Sequence, residues 1–361
     1  MEKRIYNFNP GPSVQPISVL KKIQEEFLNY DNTGMSIIEI SHRSKNFQSV
    51  LDSAKKRVKN LFKLSDEWHV IFIPGGASMQ FAMIPMNFLN NENKGEYINT
   101  GTWSTKAIEE ARIQNKNIVV RASSEEKIFS YIPKNFSVDK KSAFLHLTSN
   151  NTIRGTQWHK FPDIEIPIIA DMCSDILSRS FDTKKFGMIY AGIQKNIGPS
   201  GTAMVLIKDN MLDLIPDDIP TMLNYKTYIK KDSMHNTPST FSIYACELIL
   251  KWLEEEIGGL ENMEKINMEK ASIIYSKIDN SDGFYRGTAE KEDRSMMNVT
   301  FRLPTEELEK KFIEKALENK LGGLKGHRSA GGIRASIYNA MPIEGALKLV
   351  EYMDKFQKNI S

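Results

Sequence analysis

A lysine, an aspartate and a glycine-rich turn each stand at the end of a short apolar run in this chain. The stretch AGIQKNIGPSG (191–201) ends such a run on Lys195 and continues into small, turn-forming residues. An ammonium there is expensive if buried without a partner and ordinary if it is a surface lysine. Asp171 directly follows IPIIA (166–170), where a carboxylate is either a helix N-cap or a functional acid. After HVIFI (69–73) comes PGGAS (74–78). Its glycines allow close backbone approach and the helix that follows offers free N–H groups to a phosphate, although Gly-Gly is also a plain tight turn. Trp103 stands just after EYINT (96–100), and Thr152 lies in SNNTIRG (149–155) after AFLHL (143–147). In open α/β sheets ligands bind at the carboxyl ends of strands. A lysine, an acid, an anion cradle and an aromatic at such ends suit pyridoxal phosphate, which asks for a Schiff-base amine, an acid opposite its pyridine nitrogen and N–H groups for its phosphate. The nucleotide motifs are absent. Lys195 has Gln before it and Asn after it, unlike a Walker A lysine, and no G-x-G-x-x-G follows an apolar run.

The hydrophobic patterning predicts the elements that must carry these residues. Residues 16–30 and 44–63 are patterned as helices; in the second, Phe47, Val50, Leu51, Ala54, Val58, Leu61 and Phe62 make one apolar face. Strand-length apolar runs follow at 69–73, 96–100, 117–122, 143–147, 166–170, 187–191 and 202–207, with helical stretches such as 77–89 and 103–115 between them. Their lack of polar alternation predicts a sheet covered on both faces. A long helix is expected over 239–256, ended by Gly258 and Gly259. The order then changes to helix 261–278, strand 296–301, helix 305–318, strand 332–337 and helix 342–356. The expected fold class is α/β. A large domain over 16–256 has a mainly parallel central sheet flanked by helices, and a smaller α+β domain spans 257–361 with segment 1–15 associated with it.

The 361 residues carry a net charge of +3, from 48 Lys and Arg against 45 Asp and Glu, with no long block of one sign, so no nucleic-acid partner is expected. MEKRIYNFNPGPS is charged from its start and lacks the apolar core of a signal peptide. No segment reaches the roughly 18 unbroken apolar residues of a membrane span. Cys173 and Cys246 have no metal-ligand spacing and are too few for a disulfide framework, so no metal is expected and a reducing cytoplasm is the expected compartment.

The stretches NFNPGPS (7–13), GMSIIEISHRSKNF (34–47), PGGASMQFAMIPMN (74–87), GTWS (101–104), ADMCSDILSR (170–179), YAGIQKNIGPSG (190–201), NTPSTFSIY (236–244) and GHRSAGGIRASIYNA (326–340) follow one another along nearly the whole chain. As a set, they resemble the phosphoserine aminotransferases, fold-type-I pyridoxal-phosphate enzymes of the class V aminotransferase family. The resemblance implies that Lys195 forms the Schiff base and that Asp171 keeps the pyridine nitrogen protonated. It implies further that Ala77, Ser78 and Gln194 hold the phosphate, that Trp103 stacks on the ring and that Thr152 bonds the cofactor. Asn236 and Thr237 would reach the same phosphate from a neighbouring subunit, which implies a homodimer with shared active sites. Arg334 would grip the substrate α-carboxylate, which a planar guanidinium fork suits better than an ammonium. His42 and Arg43, with His327 and Arg328, would meet the distal phosphate or carboxylate, the latter pair from the partner subunit. The chain departs from the family pattern at Cys173 (commonly Ser), at Ser239 (often Pro) and at Pro10 (polar in some members). A buried, inert thiol is expected at Cys173.

The activity so implied is reversible amino transfer from L-glutamate to 3-phosphohydroxypyruvate, giving O-phospho-L-serine and 2-oxoglutarate in serine biosynthesis. The family also acts on the phosphorylated hydroxythreonine precursor of pyridoxine. Lys195, released from the cofactor, would move the Cα proton as base and then as acid. A class V aminotransferase of alanine–glyoxylate type would share the scaffold but lack the two His-Arg-Ser clusters. A catalytically silent binding protein of this fold would have no use for the lysine and aspartate. A cysteine desulfurase needs a nucleophilic cysteine late in the chain, and none follows Cys246.

Overall fold

The computed structural model describes residues 4–360. After β1 (Tyr6–Asn7), α1 (Ile17–Glu26) and α2 (Lys45–Phe62) come β2 (Trp68–Pro74), α3 (Ala77–Phe88), β3 (Gly95–Asn99), α4 (Thr102–Ile113), β4 (Ile118–Ser123), β5 (Phe144–Thr148), β6 (Ile168–Asp171), β7 (Phe186–Gly192) and β8 (Thr202–Lys208). The chain continues through α5 (Asp209–Leu212), α6 (Tyr225–Lys230), α7 (Thr240–Lys251) and α8 (Leu260–Asp279). It ends with β9 (Arg286–Gly287), β10 (Asn298–Arg302), α9 (Glu306–Glu318), β11 (Leu321–Gly322), β12 (Ile333–Ser336) and α10 (Ile343–Lys358).

Strands β2 to β8 form one seven-stranded sheet in the order β2-β8-β7-β6-β5-β3-β4. Every pairing from β4 across to β7 is parallel, whereas β8 runs antiparallel to both of its neighbours, β7 and β2. β2 therefore points the same way as β7, and all strands but β8 end on one edge. The mainly parallel sheet expected from the sequence is present, and its inner strands β3, β5, β6 and β7 are buried on both sides, whereas the edge strand β4 is half-buried. Ile168 and Ala170 of β6 enter a core shared with α2 and α7, while Ile169 enters a second core shared with α3 and α4. Successive side chains feeding two apolar layers explain why the runs show no polar period.

Local chemistry sets the element boundaries. At α2, Ser44 Oγ accepts the Phe47 N–H (3.2 Å), Lys63 closes the helix in the left-handed conformation (φ 53°), and all seven residues of the expected apolar face are buried. The helix expected over 239–256 divides into α7 and a π-helical turn, Trp252–Glu256. From this wider turn Glu254 and Glu255 both pair with Arg57, which also meets Glu247 at 3.3 Å.

The later elements build a three-stranded antiparallel sheet, β12-β10-β9. With α8, α9 and α10 it encloses a third core around Phe301, Phe312, Leu349 and Met353. Phe8 is buried in that core, and β1 pairs parallel with β11. Residues 1–3 and 361 of the segments defined from the sequence lie outside the described residues. No described helix is long and apolar enough to cross a membrane.

One buried histidine ties the sheet to pH. His146 of β5 is enclosed, its Nε2 lies 2.9 Å from the Tyr190 hydroxyl, and its Nδ1 has no partner among the described residues. Burial pushes its imidazole down to about 3, so it is neutral when folded, whereas an unfolded histidine titrates near 6.5. The unfolded chain therefore takes up the proton first. The stability this group contributes is full above about pH 6.5 and is lost as pH falls towards 3. His146→Gln is expected to flatten the acid limb of stability by about 1.4 kcal/mol per pH unit in that window, measured from urea midpoints across a pH series.

Candidate active site

The connections leaving the shared sheet edge bring the chemistry together. β2 passes through Gly75 and Gly76 (φ 95° and 72°), a left-handed pair, to start α3 at Ala77 with no side-chain cap. β3 leads through Gly101 to Trp103 in the first turn of α4, β5 leads into the turn bearing Thr152, β6 ends on Asp171, and β7 leads to Gln194 and Lys195. Because β8 runs the other way, its first residues, after Ser200 and Gly201, lie at this same edge. A cavity of about 280 Å³ forms there, lined by Ala77, Ser78, Trp103, Thr152, Asp171, Gln194 and Lys195 among others. The register sets Thr148 and Tyr190 on either side of Asp171.

Lys195 Nζ donates to Thr152 Oγ1 at 2.9 Å. Asp171 is enclosed, and its Oδ1 accepts the Cys173 N–H at 3.0 Å. Burial raises its carboxyl above the ordinary aspartate range, against the pull of the Cys173 hydrogen bonds and the Lys195 charge. A cationic N–H placed opposite would hold it ionised. The Cys173 thiol lines the same cavity and receives the Gly192 N–H at 3.1 Å; burial pushes it far up, so it is a neutral, unreactive group.

The turn carrying Lys195 is braced from two distant parts of the chain. Ser13 N–H donates to Gln194 O (3.2 Å) and Ser13 Oγ to Lys195 O, while a Cβ on Gly11 (φ 143°) would lie 3.1 Å from Lys195 Cγ. Asn196 Nδ2 donates to Ile176 O (3.0 Å), and its Oδ1 accepts the Asn339 N–H (3.1 Å). The sequence reading missed Ser13, Asn196 and Asn339 as supports. Ser13 and Asn339 lie inside the quoted stretches NFNPGPS and GHRSAGGIRASIYNA, yet no spacing rule connects them to residue 195.

The expected substrate cations fall into two groups. Arg334 of β12 is buried, its Nη1 donates to Thr152 O at 3.3 Å, and its Nε has no partner among the described residues. His327 titrates below the ordinary range because of burial and the charges of Arg334, Arg328, Lys106 and Arg154. Neither His327 nor Arg328 lines the cavity of its own chain. Gly326 N–H bonds Gly332 O (2.9 Å) and Lys325 bridges Ile333, folding the 325–333 loop back beside Arg334 of the same chain. His42, Arg43, Asn236 and Thr237 do not line the cavity. Arg43 Nε reaches His42 Nε2 at 3.4 Å, and Asn236 Nδ2 donates to Thr237 O at 3.3 Å.

This edge site on a mainly parallel sheet defines a fold-type-I transferase, and comparison with known proteins narrows the class. Residues 5–349 match the family profile of class-V aminotransferases. A phosphoserine aminotransferase of Desulfosudis oleivorans is 57% identical over 359 residues, covering 99% of each chain, and that of Bacillus subtilis is 48% identical over 357 residues, again 99% of each. The structure superposes on the phosphoserine aminotransferase of Bacillus circulans subsp. alkalophilus with a TM-score of 0.97, 48% identity and 99% of each chain covered. It superposes on the PLP-bound enzyme of Trichomonas vaginalis with a TM-score of 0.92 and 35% identity, covering 97% of this chain and 100% of that one. An alanine–glyoxylate aminotransferase of Nostoc sp., at 15% identity and TM-score 0.76, shares the fold alone. The chain belongs to the class-V aminotransferases and, within them, to the phosphoserine aminotransferases, pyridoxal-phosphate-dependent transaminases.

The residues present fit that cofactor. Trp103 Nε1 and Thr148 Oγ1 are buried without partners among the described residues, the uncapped start of α3 presents free N–H groups, and the buried Asp171 carboxylate makes no hydrogen bond to a cationic group among the described residues. The turn bearing Thr152 depends on Gly155 (φ 77°), where a Cβ would lie 2.4 Å from Thr300 Oγ1 and 2.8 Å from Asn298 O. Gly155→Ala is expected to destabilise the protein by about 1–3 kcal/mol and to weaken cofactor retention, read from the thermal midpoint with and without added pyridoxal phosphate.

Proposed function

We propose that this pocket transfers the amino group of L-glutamate to 3-phosphohydroxypyruvate, giving O-phospho-L-serine and 2-oxoglutarate reversibly, as a cytoplasmic step of serine biosynthesis. The observation that carries the reading is Lys195 Nζ held on Thr152 Oγ1 (2.9 Å) in the same cavity as the buried Asp171 and the open start of α3. In this reading the sheet and helices of 16–256 form the cofactor-binding domain, and 257–361 with the N-terminal segment form the smaller one. When bound, pyridoxal phosphate supplies an aldehyde for the amino group and an electron-withdrawing ring that acidifies the substrate Cα–H.

In this reading each side chain has a defined role. Asp171 binds the ring N–H, an interaction that offsets the cost of its own burial. Ala77, Ser78 and Gln194 receive the phosphate, using the helix start where free N–H groups and the dipole favour an anion. Trp103 covers the ring. Thr152 Oγ1 orients the Lys195 amine, and Lys195 Nζ takes the proton from the substrate Cα and, once protonated, serves as the acid for its return. Arg334 clamps the α-carboxylate with its planar fork. His327 and Arg328 meet the distal anion. His42 and Arg43 join them from a second copy of the chain, as Asn236 and Thr237 join the phosphate site, so that the working unit is a homodimer.

Lys195→Ala is expected to lower formation of 2-oxoglutarate from glutamate and 3-phosphohydroxypyruvate by at least about 10³-fold. Turnover close to wild type would overturn the assignment. Shared sites make a further prediction. Refolding Lys195→Ala together with Arg43→Ala yields hybrid dimers with one intact site, and about a quarter of wild-type activity should return. No recovery would mean that each site is complete within its own chain.

A further inference from the structure

Arg154 stands two residues from Thr152 in a tightly held turn. Asn151 Oδ1 accepts the N–H groups of Ile153 (3.0 Å) and Arg154 (3.1 Å), and Arg154 O accepts the hydroxyls of Thr300 (2.9 Å) and Thr288 (3.1 Å). The backbone is thus fixed while the guanidinium, only partly exposed, has no hydrogen bond, ion pair or ring contact among the described residues. Arg154 lines a small cavity of about 70 Å³ together with Arg334 and Arg302, and no carboxylate lines it. Arg302 is already engaged, by Glu309 at 2.5 Å and by Ala330 O at 3.3 Å. Arg154 and Arg334 are not paired with any acid.

Like charges crowd this side of the site. The Arg154 guanidinium is held below its usual range by burial and by Arg302, and its charge in turn acts on His327, alongside Arg334, Arg328 and Lys106. Lys106 sits 5.1 Å from the ring of Trp103, which lines the described cavity, and Arg334 reaches the O of Thr152, another lining residue. Partly buried cations gathered without a counter-charge lower stability unless an anion offsets them. A helix surface or a structural ion pair would leave an acid in the group, and none is there.

We propose that Arg154 is a further specificity-determining residue, whose guanidinium binds the distal anionic end of the substrate and favours a dianionic phosphate ester over a monoanionic carboxylate. The inference rests on the amino-transfer reading of the same site and adds a residue to it. A planar guanidinium offers two parallel N–H donors to a phosphate, and each added positive charge is worth more to a group bearing two negative charges than to one bearing one. Arg334, hydrogen-bonded to Thr152 O, stays with the α-carboxylate, and Arg154 then acts with His327 at the other end.

The test uses holoenzyme and measures the two half-reactions separately, with O-phospho-L-serine and with L-glutamate. Arg154→Gln is expected to lower kcat/KM for O-phospho-L-serine by about 10- to 100-fold. The value for glutamate should fall several-fold less, and Arg154→Lys should recover part of the difference. Cofactor content and thermal midpoint should remain those of wild type. Equal losses with both substrates, or none with either, would overturn the proposal. Should Arg154→Gln fold poorly, Arg154→Lys alone decides, because a purely structural role predicts no change in the ratio of the two substrates. A wild-type enzyme unable to turn over O-phospho-L-serine would instead overturn the underlying amino-transfer reading.

Discussion

Asp171 is a carboxylate sealed from water, and the site is organised around that condition. Its one backbone donor, the Cys173 N–H, leaves burial dominant and the carboxyl raised above its ordinary range. Such a group is stable as an anion only beside positive charge. The sheet provides the geometry for this, because β6 delivers the acid at the same edge where β7 delivers the turn bearing Lys195. Neither residue has that meaning alone. An aspartate at a strand end caps helices, and a lysine in a glycine-rich turn is solvated, until parallel pairing puts them in one enclosed cavity.

The surroundings of the cavity are electrostatically two-sided. The acid lies on the sheet side, with Asp175 near it and also raised by burial. Outside the cavity's lining, the charges of Arg334, Arg328, Lys106 and Arg154 all act on His327, with no acid among them. A cationic ring nitrogen suits the first side, and the carboxylate and phosphate groups of small acids suit the second. The excess of positive charge is local, since the chain as a whole is close to neutral at +3.

Rigidity at Lys195 comes from segments far away in sequence. Ser13 donates to the carbonyls of Gln194 and Lys195, on either side of the Lys195 Cα, and Asn196 joins the large sheet region to Asn339, which follows β12. Asn339 Nδ2 also holds Leu177 O (2.8 Å), and Asn267 Nδ2 holds both Asn339 Oδ1 (2.9 Å) and Ser178 O (3.0 Å). A movement between the two cores would therefore be felt at the turn that positions the amine. The buried Lys270 Nζ, donating to Ile337 O (3.0 Å) and Tyr338 O (2.8 Å), fixes the same chain reversal from α8.

What the sequence determined by itself is short in range. Apolar spacing located the strands of the large sheet to within a residue or two, the apolar face located α2, and the strand-end rule pointed to Lys195, Asp171, Trp103 and Thr152. These signals are legible because side-chain periodicity and capping act over a few neighbouring residues. Strand direction does not appear in hydrophobicity, so the reversal of β8 was not legible, nor was the pairing of Tyr6 with Leu321. The π turn after α7 was equally hidden, because its glutamates answer to Arg57 on another helix. The tertiary structure alone decided that His327 stands with Arg334 of its own chain, that Ser13 braces Lys195, and that Arg154 lacks a counter-charge. The first depends on how the 325–333 loop folds back, the second on segments more than a hundred residues apart meeting across packed layers, and the third on which charges are absent, and none of these is written in the local order of residues.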